Sequence, residues 1–425
     1  ILVWVPASEE GKDLEVEITY DDEVLVREKV EAGQLNILSF DRDLLLHDVN
    51  ELSSHYYEDD NEVYKEIFEL KLLPDQYNAV KIDRASGGLI VEGLPFYPFG
   101  FYAYSPVQPG LAEEEVVKGF NMMSPYQQIE GKTKKERKAY MDRCAALGMK
   151  VNYNLLSIAG GGGVGSKDHE EMDEEKRMKL LREEIEYFKD HPALLSWYIS
   201  DEPVGQGVPP EDLVDAYELI KEVDPYHPVT VVFMSPWMAG KYSHVMDIVM
   251  ADPYVIPNGE VEEVGSTTAM LKEEFFLDKP VWIVPQAFGG NEWWEREPTR
   301  QEMRAMTYLS LVNGAMGIQY FIRHGLNSFP KSTTAWNECG NMALEFAHMT
   351  PYLFSLDHVE EIKCDHNDIQ LKGFHKDGAF LILAVNTSNE PQNFEFILTD
   401  FRYSGSAYVW FENRRITVKE SKVED

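Results

Sequence analysis

The sequence predicts an α/β protein: a (β/α)8 TIM barrel with an N-terminal antiparallel β-sandwich and a small C-terminal antiparallel β domain. Two observations predict this architecture. From about residue 95 to 322, eight apolar runs alternate with amphipathic helical segments, which is the order of strands and helices in a closed parallel barrel. On either side, short runs that alternate apolar and polar residues are separated by turn residues, which is typical of antiparallel sheets.

The N-terminal segment, residues 1–90, is predicted to form the sandwich. Its strand-like runs are LEVEITY (14–20), EVLVREKV (23–30), EIFELKLL (66–73) and NAVKID (78–83). Turn residues separate these runs, and the stretch DRASGGLIVEG (83–93) is typical of a hairpin that links two domains. We therefore place the first domain boundary near residue 90.

Residues 91–356 are predicted to form the barrel. The eight strand runs are FYPFGFYAY (96–104), GFNMMSP (119–125), GMKVNYNLLS (148–157), ALLSWYISDEP (193–203), PVTVVFMSP (228–236), DIVMADPY (247–254), PVWIVPQAFGG (280–290) and GAMGIQYFI (314–322). Helical patterns lie between them at 134–147, 174–190, 210–223, 268–277 and 299–313. The region has the length of roughly 250 residues that such a barrel needs.

An open doubly wound sheet is the alternative to the barrel. That fold places a glycine fingerprint directly after its first strand, and the glycine-rich run AGGGGVGS (159–166) instead follows the third strand and has no lysine partner. We interpret this run as a loop beside the functional site.

Strand patterns return in residues 357–425. The runs are DIQLKGFHKD (368–377), AFLILAVNTS (379–388), NFEFILTD (393–400) and AYVWFENRRITV (407–418). They predict a small antiparallel β domain that packs on the barrel.

Charge and composition exclude several functional classes. The 425 residues include 74 acidic and 39 basic residues, a net charge of −35, which repels nucleic acid and anionic membrane surfaces. No apolar run approaches the roughly 20 residues that cross a bilayer. The three cysteines are far apart and the histidines lack ligand spacing, so we expect neither a metal nor another cofactor.

One sequence motif bears on cellular location. Asn386-Thr387-Ser388 is a glycosylation sequon on a predicted turn, and it is either a chance match or a used site. We expect an extracellular or secretory location, with no signal peptide within the 425 residues.

The carboxyl ends of the predicted strands carry polar and aromatic residues. Functional side chains of a barrel gather at these ends. In strand order they are Tyr102, Tyr104, Asn121, Ser124, Asn152, Asn154, Asp201, Glu202, Ser235, Asp252, Tyr254, Gln286, Gln319 and Tyr320. Amides and carboxylates bond vicinal hydroxyls and aromatic rings stack on sugar faces, so the set favours a carbohydrate ligand.

The tryptophans divide into two groups. Trp197 and Trp282 lie within predicted strands, and we expect both in the core. Trp293 and Trp294 lie on the loop after the seventh strand, where paired aromatic residues have less reason to pack, and we expect them to contact the ligand.

Charged residues on two further loops are candidates for the same site. Glu292 precedes the tryptophan pair, and Arg323-His324 follows the eighth strand. The arginine and histidine either contact a substrate carboxylate or form a structural salt bridge.

The segment Ser200-Asp201-Glu202-Pro203 is the sharpest chemical feature. Cleavage of a glycoside needs a carboxylic acid to protonate the leaving oxygen, with a pKa raised by its surroundings. Glu202 beside Asp201 at a strand tip suits this role, because a neighbouring negative charge favours the protonated form. Successive strand residues point to opposite sides, so we expect only one of the two to face the centre of the cleft.

With these features the chain resembles glycoside hydrolase clan A, over residues 90 to 355 and in its modular layout. Members of the β-galactosidase and β-glucuronidase group also place β-sandwich modules before the barrel. The resemblance implies that Glu202 is the acid/base residue, because the clan's fourth strand ends in Asn-Glu. It also implies that Asp201 replaces the asparagine that contacts the sugar 2-hydroxyl, and that Tyr254 matches a tyrosine that steadies the nucleophile.

The sequence departs from the clan at the end of the seventh strand. The clan has a glutamate nucleophile there, and this chain has Gln286, whose neutral amide cannot serve as that nucleophile. Three explanations stay open: an inverting enzyme in which Asp201, Asp252 or Glu292 activates water, an engineered replacement of a native glutamate, or a barrel that binds sugar without hydrolysis. Among the candidate bases we favour Asp252, because Asp252-Pro253-Tyr254 closes a strand that faces the same mouth.

Two functional classes follow from the sequence. The first is a glycosidase that cleaves oligo- or polysaccharides, with Glu202 as general acid. The alternative is a non-catalytic carbohydrate-binding or structural barrel.

Overall fold

The computed structural model of the chain describes residues 1–104, 107–130, 133–162, 172–290, 293–323, 333–357, 359, 362–399 and 402–424. Its contacts divide the chain into two compact units, Ile1–Tyr77 and Asn78–Asp425. Residues 78–90, which the sequence pattern groups with the N-terminal sandwich, therefore lie in the second unit. The division into domains 1–90, 91–356 and 357–425 stays a prediction.

The first unit consists of antiparallel sheets. Its strands are β1 (Leu2–Trp4), β2 (Leu14–Tyr20), β3 (Glu23–Lys29), β4 (Leu35–Ile37), β5 (Val49–Glu58) and β6 (Asn61–Lys71). A two-stranded sheet pairs β1 with β4, and a four-stranded sheet has the order β3-β2-β5-β6. Alternate residues of β2, namely Val16, Ile18 and Tyr20, are buried in one core with Val3 and Leu52, as the period of two predicts.

The second unit begins with a three-stranded antiparallel sheet and continues into the barrel. The first sheet contains β7 (Val80–Asp83), β8 (Gly88–Val91) and β9 (Leu94–Phe96). The barrel strands are β10 (Phe99–Tyr104), β11 (Met122–Tyr126), β12 (Lys150–Asn154), β13 (Leu194–Asp201), β14 (Val229–Phe233), β15 (Ile248–Ala251), β16 (Val281–Ile283) and β17 (Ile318–Arg323). They pair in parallel in sequence order, and β17 returns to β10. The predicted closed barrel is confirmed.

Helices connect the strands and extend beyond the last one. They are α1 (Leu111–Val116), α2 (Lys134–Ala146), α3 (Leu156–Ala159), α4 (Glu174–Phe188), α5 (Pro203–Gln206), α6 (Glu211–Val223), α7 (Glu262–Glu274), α8 (Arg300–Val312) and α9 (Thr333–Leu353). The five predicted helices are present, although α7 begins at Glu262 rather than near residue 268. A capping box of Thr299 and Glu302 sets the start of α8, because it satisfies two backbone N–H groups that the helix leaves unpaired.

Alternation along the strands separates the barrel interior from the layer beneath the helices. On β13, Trp197 points outward and its Nε1 donates to the buried Asp224 at 2.8 Å, whereas Tyr198 packs among interior residues. The expectation that Trp197 and Trp282 lie in the core is confirmed, since both are fully buried.

The C-terminal segment adds two antiparallel sheets. Its strands are β18 (Ile362–Cys364), β19 (Ile369–Lys376), β20 (Ala379–Asn386), β21 (Glu395–Leu398), β22 (Gly405–Val409), β23 (Arg414–Lys419) and β24 (Lys422–Glu424). The hairpin β19-β20 contributes Phe374, Leu381 and Leu383 to the barrel's hydrophobic core. The other sheet has the order β18-β21-β24-β23-β22. None of the described helices combines the length and apolarity needed to cross a bilayer.

Candidate active site

Three carboxyl groups meet at the carboxyl-terminal mouth of the barrel. Asp201 is the last residue of β13, Glu202 follows it, and Asp252 follows β15. Both strands pair with β14, so their tips are second neighbours around the ring. The electrostatic influence of Glu202 reaches both Asp201 and Asp252, which shows that the three groups form one cluster.

Asp252 shares a hydrogen bond with Glu202. The side chain of Asp252 is nearly buried, with 7% of the residue exposed. Burial raises the pKa of Asp252 well above its usual range, and the charge and hydrogen bond of Glu202 raise it further. Two carboxylates cannot hydrogen-bond without a proton, so the raised pKa favours the protonated form of Asp252 beside Glu202. The Oδ1 atom of Asp252 is buried and has no hydrogen-bond partner among the described residues.

Asp201 is held by two tyrosines. Its carboxyl oxygens accept hydrogen bonds from the hydroxyls of Tyr198 at 2.5 Å and Tyr126 at 3.1 Å. Burial raises the pKa of Asp201 to about 6, and the tyrosine hydroxyls oppose that rise because they stabilise the ionised form. Asp201 therefore titrates just below neutral pH.

Tyr126 and Tyr198 are not among the site residues that the sequence pattern predicts. Strict alternation would point Tyr198 and Asp201 to opposite faces, because they are three positions apart. A register shift between Tyr198 and Ser200 brings both side chains to the mouth. Such an irregularity re-aims a side chain and leaves no mark in a hydrophobic pattern.

Glu202 occupies a left-handed backbone conformation, with φ 51° and ψ 54°, directly before α5. Its N–H donates to the carbonyl of Val232 at 3.0 Å, and its carbonyl accepts from the N–H of Gln206 at 3.0 Å. A residue with a Cβ in this region carries roughly 1–3 kcal/mol of strain, of the kind found at functional sites. The turn places the Glu202 carboxyl beside Asp252 while Asp201 keeps its tyrosine contacts.

Aromatic rings surround the carboxyl cluster. Tyr102 stacks on Tyr126 with ring centroids 5.0 Å apart, and Tyr104 lies 5.7 Å from the same ring. Tyr254 meets Phe288 edge-to-face at 5.0 Å. Burial raises the pKa of both Tyr102 and Tyr254, and the nearby carboxyl groups add to the effect. The structure thus brings these two predicted site residues to the cluster.

The two tryptophans of the predicted pair differ in their exposure to solvent. Trp293 is 74% exposed, so its ring is accessible to a ligand. Trp294 is half-buried against Tyr254 and Phe288, and its Nε1 donates to the Tyr254 carbonyl at 3.2 Å. The other two loop candidates, Glu292 and His324, lie outside the described residues.

Gln286 does not face a ligand, contrary to expectation. Its side chain is fully buried. Its Oε1 accepts from the N–H of Ile256 at 3.0 Å, and its Nε2 donates to the carbonyls of Ile256 at 2.9 Å and Phe288 at 3.1 Å. A carboxylate has no N–H to donate, so an ionised glutamate at this position would leave both carbonyls without this donor.

Three further candidates are fully buried. Asn152 is fully buried and bonds Gln319, Ser196 and Thr230 in a polar layer of the interior. Asn154 is also fully buried, and its Oδ1 accepts from the N–H of Leu156. Tyr320 points outward and bonds Thr307 of α8 at 2.5 Å, because it falls on the outward phase of β17. The expectation that Asn152 and Tyr320 contact substrate does not fit these positions, whereas Asn154 ends β12 and its Nδ2 has no hydrogen-bond partner among the described residues.

Arg323 is committed to a structural cluster. Its Nη2 lies 3.0 Å from Glu114 and its Nε 3.5 Å from Glu115, and its guanidinium lies 4.2 Å from the Trp336 ring centre. Of the two roles that the sequence left open, the structure shows the salt bridge. Within the described part of the chain, no group of three histidine, cysteine or carboxylate side chains has the arrangement of a metal site.

Comparisons with known proteins were made by sequence and by structure. No protein-family model and no curated protein matches the sequence. Similar solved structures include a β-glucuronidase from an uncultured Clostridium (TM-score 0.46, 13% identity, covering 79% of this chain and 64% of that one). Another is a β-D-glucuronidase for Dictyoglomus thermophilum (TM-score 0.43, 15% identity, 77% and 64%). A third is a β-galactosidase from Bacillus circulans sp. alkalophilus (TM-score 0.49, 12% identity, 61% and 57%).

This chain spans less than two thirds of the length of each of these three structures. They belong to the β-glucuronidase and β-galactosidase group that the sequence also resembles. The closed barrel is established by the pairing of this chain's own strands, independently of these similarities.

Proposed function

We propose that this chain is a hydrolase of glycosidic bonds in which Glu202 and Asp252 act together as acid and base. The observation that carries the proposal is the position of the buried Asp252 carboxyl beside Glu202, next to a third carboxyl group at the mouth of the barrel. A carboxyl group whose pKa is raised by burial and by a neighbouring carboxylate can supply an acid beside a base at one site.

The hydrogen bond between the two carboxyls allows the proton to reach either member. Glu202 delivers it to the leaving glycosidic oxygen as the bond from that oxygen to the anomeric carbon breaks. Asp252, then ionised, accepts a proton from the water whose oxygen attacks the anomeric carbon. One water is consumed, one proton enters the pair as one leaves, and the pair regains its starting state.

A substrate must separate Glu202 from Asp252. Carboxyls that share a hydrogen bond lie roughly 3 Å apart, whereas inversion needs about 6.5–9.5 Å for substrate and water. A sugar that enters between Glu202 and Asp252 replaces their mutual hydrogen bond with bonds to its own oxygens. Asp201 and the partly exposed ring of Tyr254 supply a hydroxyl acceptor and an apolar face for that sugar.

Carbohydrate binding without hydrolysis is the second candidate. Gln286 favours it, because its amide is committed to the backbone of Ile256 and Phe288. The seventh strand therefore offers no carboxylate nucleophile at the position that the clan resemblance indicates.

The proposal is tested by measuring the turnover of a panel of aryl glycosides and oligosaccharides. The proteins compared are the wild type, Glu202→Gln and Asp252→Asn. We expect each variant to lose about 10²–10⁴-fold in kcat, the usual contribution of one acid or base, and to retain sugar binding. The double variant should be little worse than either single variant, because the pair acts as a unit. Asp212→Asn, at an exposed carboxylate in the first turn of α6, is the matched control.

A sugar that the wild type binds and that both variants turn over at the wild-type rate would contradict the roles of Glu202 and Asp252. A sugar that the wild type binds and that none of the proteins turns over would support the second candidate instead.

A further inference from the structure

The end of β14 lies between the two residues of the proposed acid and base pair. The N–H of Glu202 donates to the carbonyl of Val232 at 3.0 Å, and the N–H of Asp252 donates to the carbonyl of Phe233 at 3.4 Å. Val232 and Phe233 are the last two residues of β14. The chain therefore leaves the barrel between Glu202 and Asp252, and the residues that follow β14 lie beside the carboxyl pair.

Two large apolar side chains are exposed on the segment that follows β14. Met234 comes directly after the strand and is 52% exposed, and Trp237 is 70% exposed. By contrast, Trp197 and Trp282 of the barrel wall are fully buried. An exposed apolar surface rimmed by polar groups marks a ligand-binding surface. The sequence pattern did not place Met234 or Trp237 in the site.

Met234 lies close to the side chain of Glu202. A Cβ built on Gly205 of α5 would lie 2.7 Å from the sulfur of Met234 and 4.0 Å from Cβ of Glu202. Both distances are measured from one point, so the sulfur lies within a side chain's length of the glutamate. The missing side chain at Gly205 leaves the space that Met234 occupies. The exposed part of Met234 therefore belongs to the surface next to the proposed acid.

The backbone that carries Trp237 is anchored from beneath. Trp237 lies in a 3₁₀ segment, Pro236–Val245, whose buried residues are three positions apart: Ala239, Tyr242 and Val245. Residues at that spacing share one face of a 3₁₀ helix, and the Tyr242 hydroxyl also donates to a backbone carbonyl between α5 and α6 at 2.7 Å. Trp237 falls outside this period, so its ring is exposed while its backbone is held. A ring on a fixed backbone loses little freedom when a ligand stacks on it.

The carboxyl groups and the exposed apolar residues lie at different depths. Asp252 is 7% exposed and Glu202 is half-buried, whereas Met234 and Trp237 are mostly open to solvent. A sugar bound at Asp252 therefore lies deeper than the glycosidic oxygen that Glu202 protonates. The sugar on the other side of that oxygen lies nearer to solvent, beside Glu202 and on the segment after β14.

We propose that Met234 and Trp237 bind the sugar on the leaving side of the cleaved bond, and that the substrate is a neutral oligosaccharide. The inference rests on the proposed function, because Glu202 as the acid defines the leaving side. The indole of Trp237 supplies a flat apolar face for the C–H groups of a pyranose ring. The carboxyl groups beside this surface repel an acidic sugar.

Calorimetric titration of the full chain carrying Asp252→Asn tests this subsite, because that variant lacks the proposed base and keeps Trp237. The probes are monomers, dimers and trimers of glucose, galactose, mannose and xylose, in α and β linkages. We expect one of these sugars to bind more tightly as an oligomer than as a monomer. Adding Trp237→Ala should weaken binding of the oligomer about tenfold and leave the monomer unchanged. Trp237→Phe keeps a ring and should keep most of the affinity.

Phe276→Ala, in the same Asp252→Asn background, is the matched control. Phe276 is also an exposed aromatic residue, 48% exposed, and it lies between α7 and the amino-terminal end of β16, at the opposite end of the barrel. This variant should bind the oligomers as its parent does. The subsite is overturned if no oligomer binds more tightly than its own monomer, or if Trp237→Ala binds the oligomers as tightly as its parent. A galacturonic acid trimer that binds as tightly as the neutral trimers would overturn the preference for a neutral sugar.

Turnover by the otherwise wild-type chain separates failure of the subsite from failure of the proposed function. Hydrolysis that depends on Glu202 and is equal in the wild type and Trp237→Ala for every oligomer overturns the subsite alone. Oligosaccharide binding that depends on Trp237, without turnover by the wild type, overturns hydrolysis and leaves a sugar-binding surface at Trp237.

Discussion

Replacing Glu115 with glutamine should stabilise the folded chain at alkaline pH. Glu115 lies on α1 with 1% of its surface exposed, and neither of its carboxyl oxygens accepts a hydrogen bond among the described residues. Burial raises its pKa from the ordinary 4.5 to about 8, although Arg323 opposes the rise. Glu115 is therefore protonated in the folded chain at neutral pH and ionised in the unfolded chain.

The pKa of Glu115 differs between the folded and unfolded chain, and this difference sets the sign and size of the change in stability with pH. The folded state binds the proton more tightly, so its stabilisation is complete below pH 4.5 and is lost as the pH rises toward 8. The gap between 4.5 and about 8 is about 3.5 pKa units, which at about 1.36 kcal/mol each is on the order of 5 kcal/mol. A glutamine mimics the protonated acid and cannot ionise, so the variant should not lose this free energy.

Urea unfolding followed by tryptophan fluorescence at pH 5 and pH 8.5 measures the prediction. Glu115→Gln and the wild type should unfold at similar urea concentrations at pH 5, and the variant should be more stable by a few kcal/mol at pH 8.5. Glu114→Gln is the control, because Glu114 is exposed and pairs with the same arginine. Parallel pH profiles for Glu115→Gln and the wild type would refute the reasoning.

Two further predictions concern the mouth of the barrel. Sugar binding to an inactive Asp252→Asn background should tighten as pH rises through about 6, where Asp201 ionises. Adding Asp201→Asn should flatten that dependence in calorimetry, and an unchanged pH dependence would contradict the role of Asp201. Gln286→Glu should destabilise the chain by about 2–5 kcal/mol, because two buried carbonyls lose their donor, and it should gain no turnover. Unfolding measures the stability of Gln286→Glu, and a glycoside assay measures its turnover. Wild-type stability or new activity in this variant would show that the amide is not required.

Prediction of the fold succeeded where the hydrophobic pattern is regular. Each of the eight barrel runs overlaps an observed strand, because parallel strands buried on both faces appear as continuous apolar segments. The short helices α1, α3 and α5 were not predicted, since elements of four to six residues carry too little periodicity to detect.

Prediction of the site was partial for a related reason. The rule that strand tips carry function led to Asp201, Glu202, Asp252 and Tyr254, which the structure brings to one cluster. The same rule also selected Tyr320, whose side chain points away from the mouth. A strand tip fixes the position of a residue along the barrel, whereas the direction of its side chain depends on local register.

The sequence by itself determined the barrel, the antiparallel sheets around it and the carboxylates at its mouth, because periodicity and residue type are local properties of the chain. Only the tertiary structure decided that Glu202 lies beside Asp252, that two tyrosines hold Asp201, and that backbone groups occupy Gln286. The contacts of Glu202 with Asp252, of Tyr126 with Asp201 and of Ile256 with Gln286 join different strands or loops, and the contact of Tyr198 with Asp201 depends on a register shift within β13. Such geometry depends on how the ring closes, which no single segment of the sequence encodes.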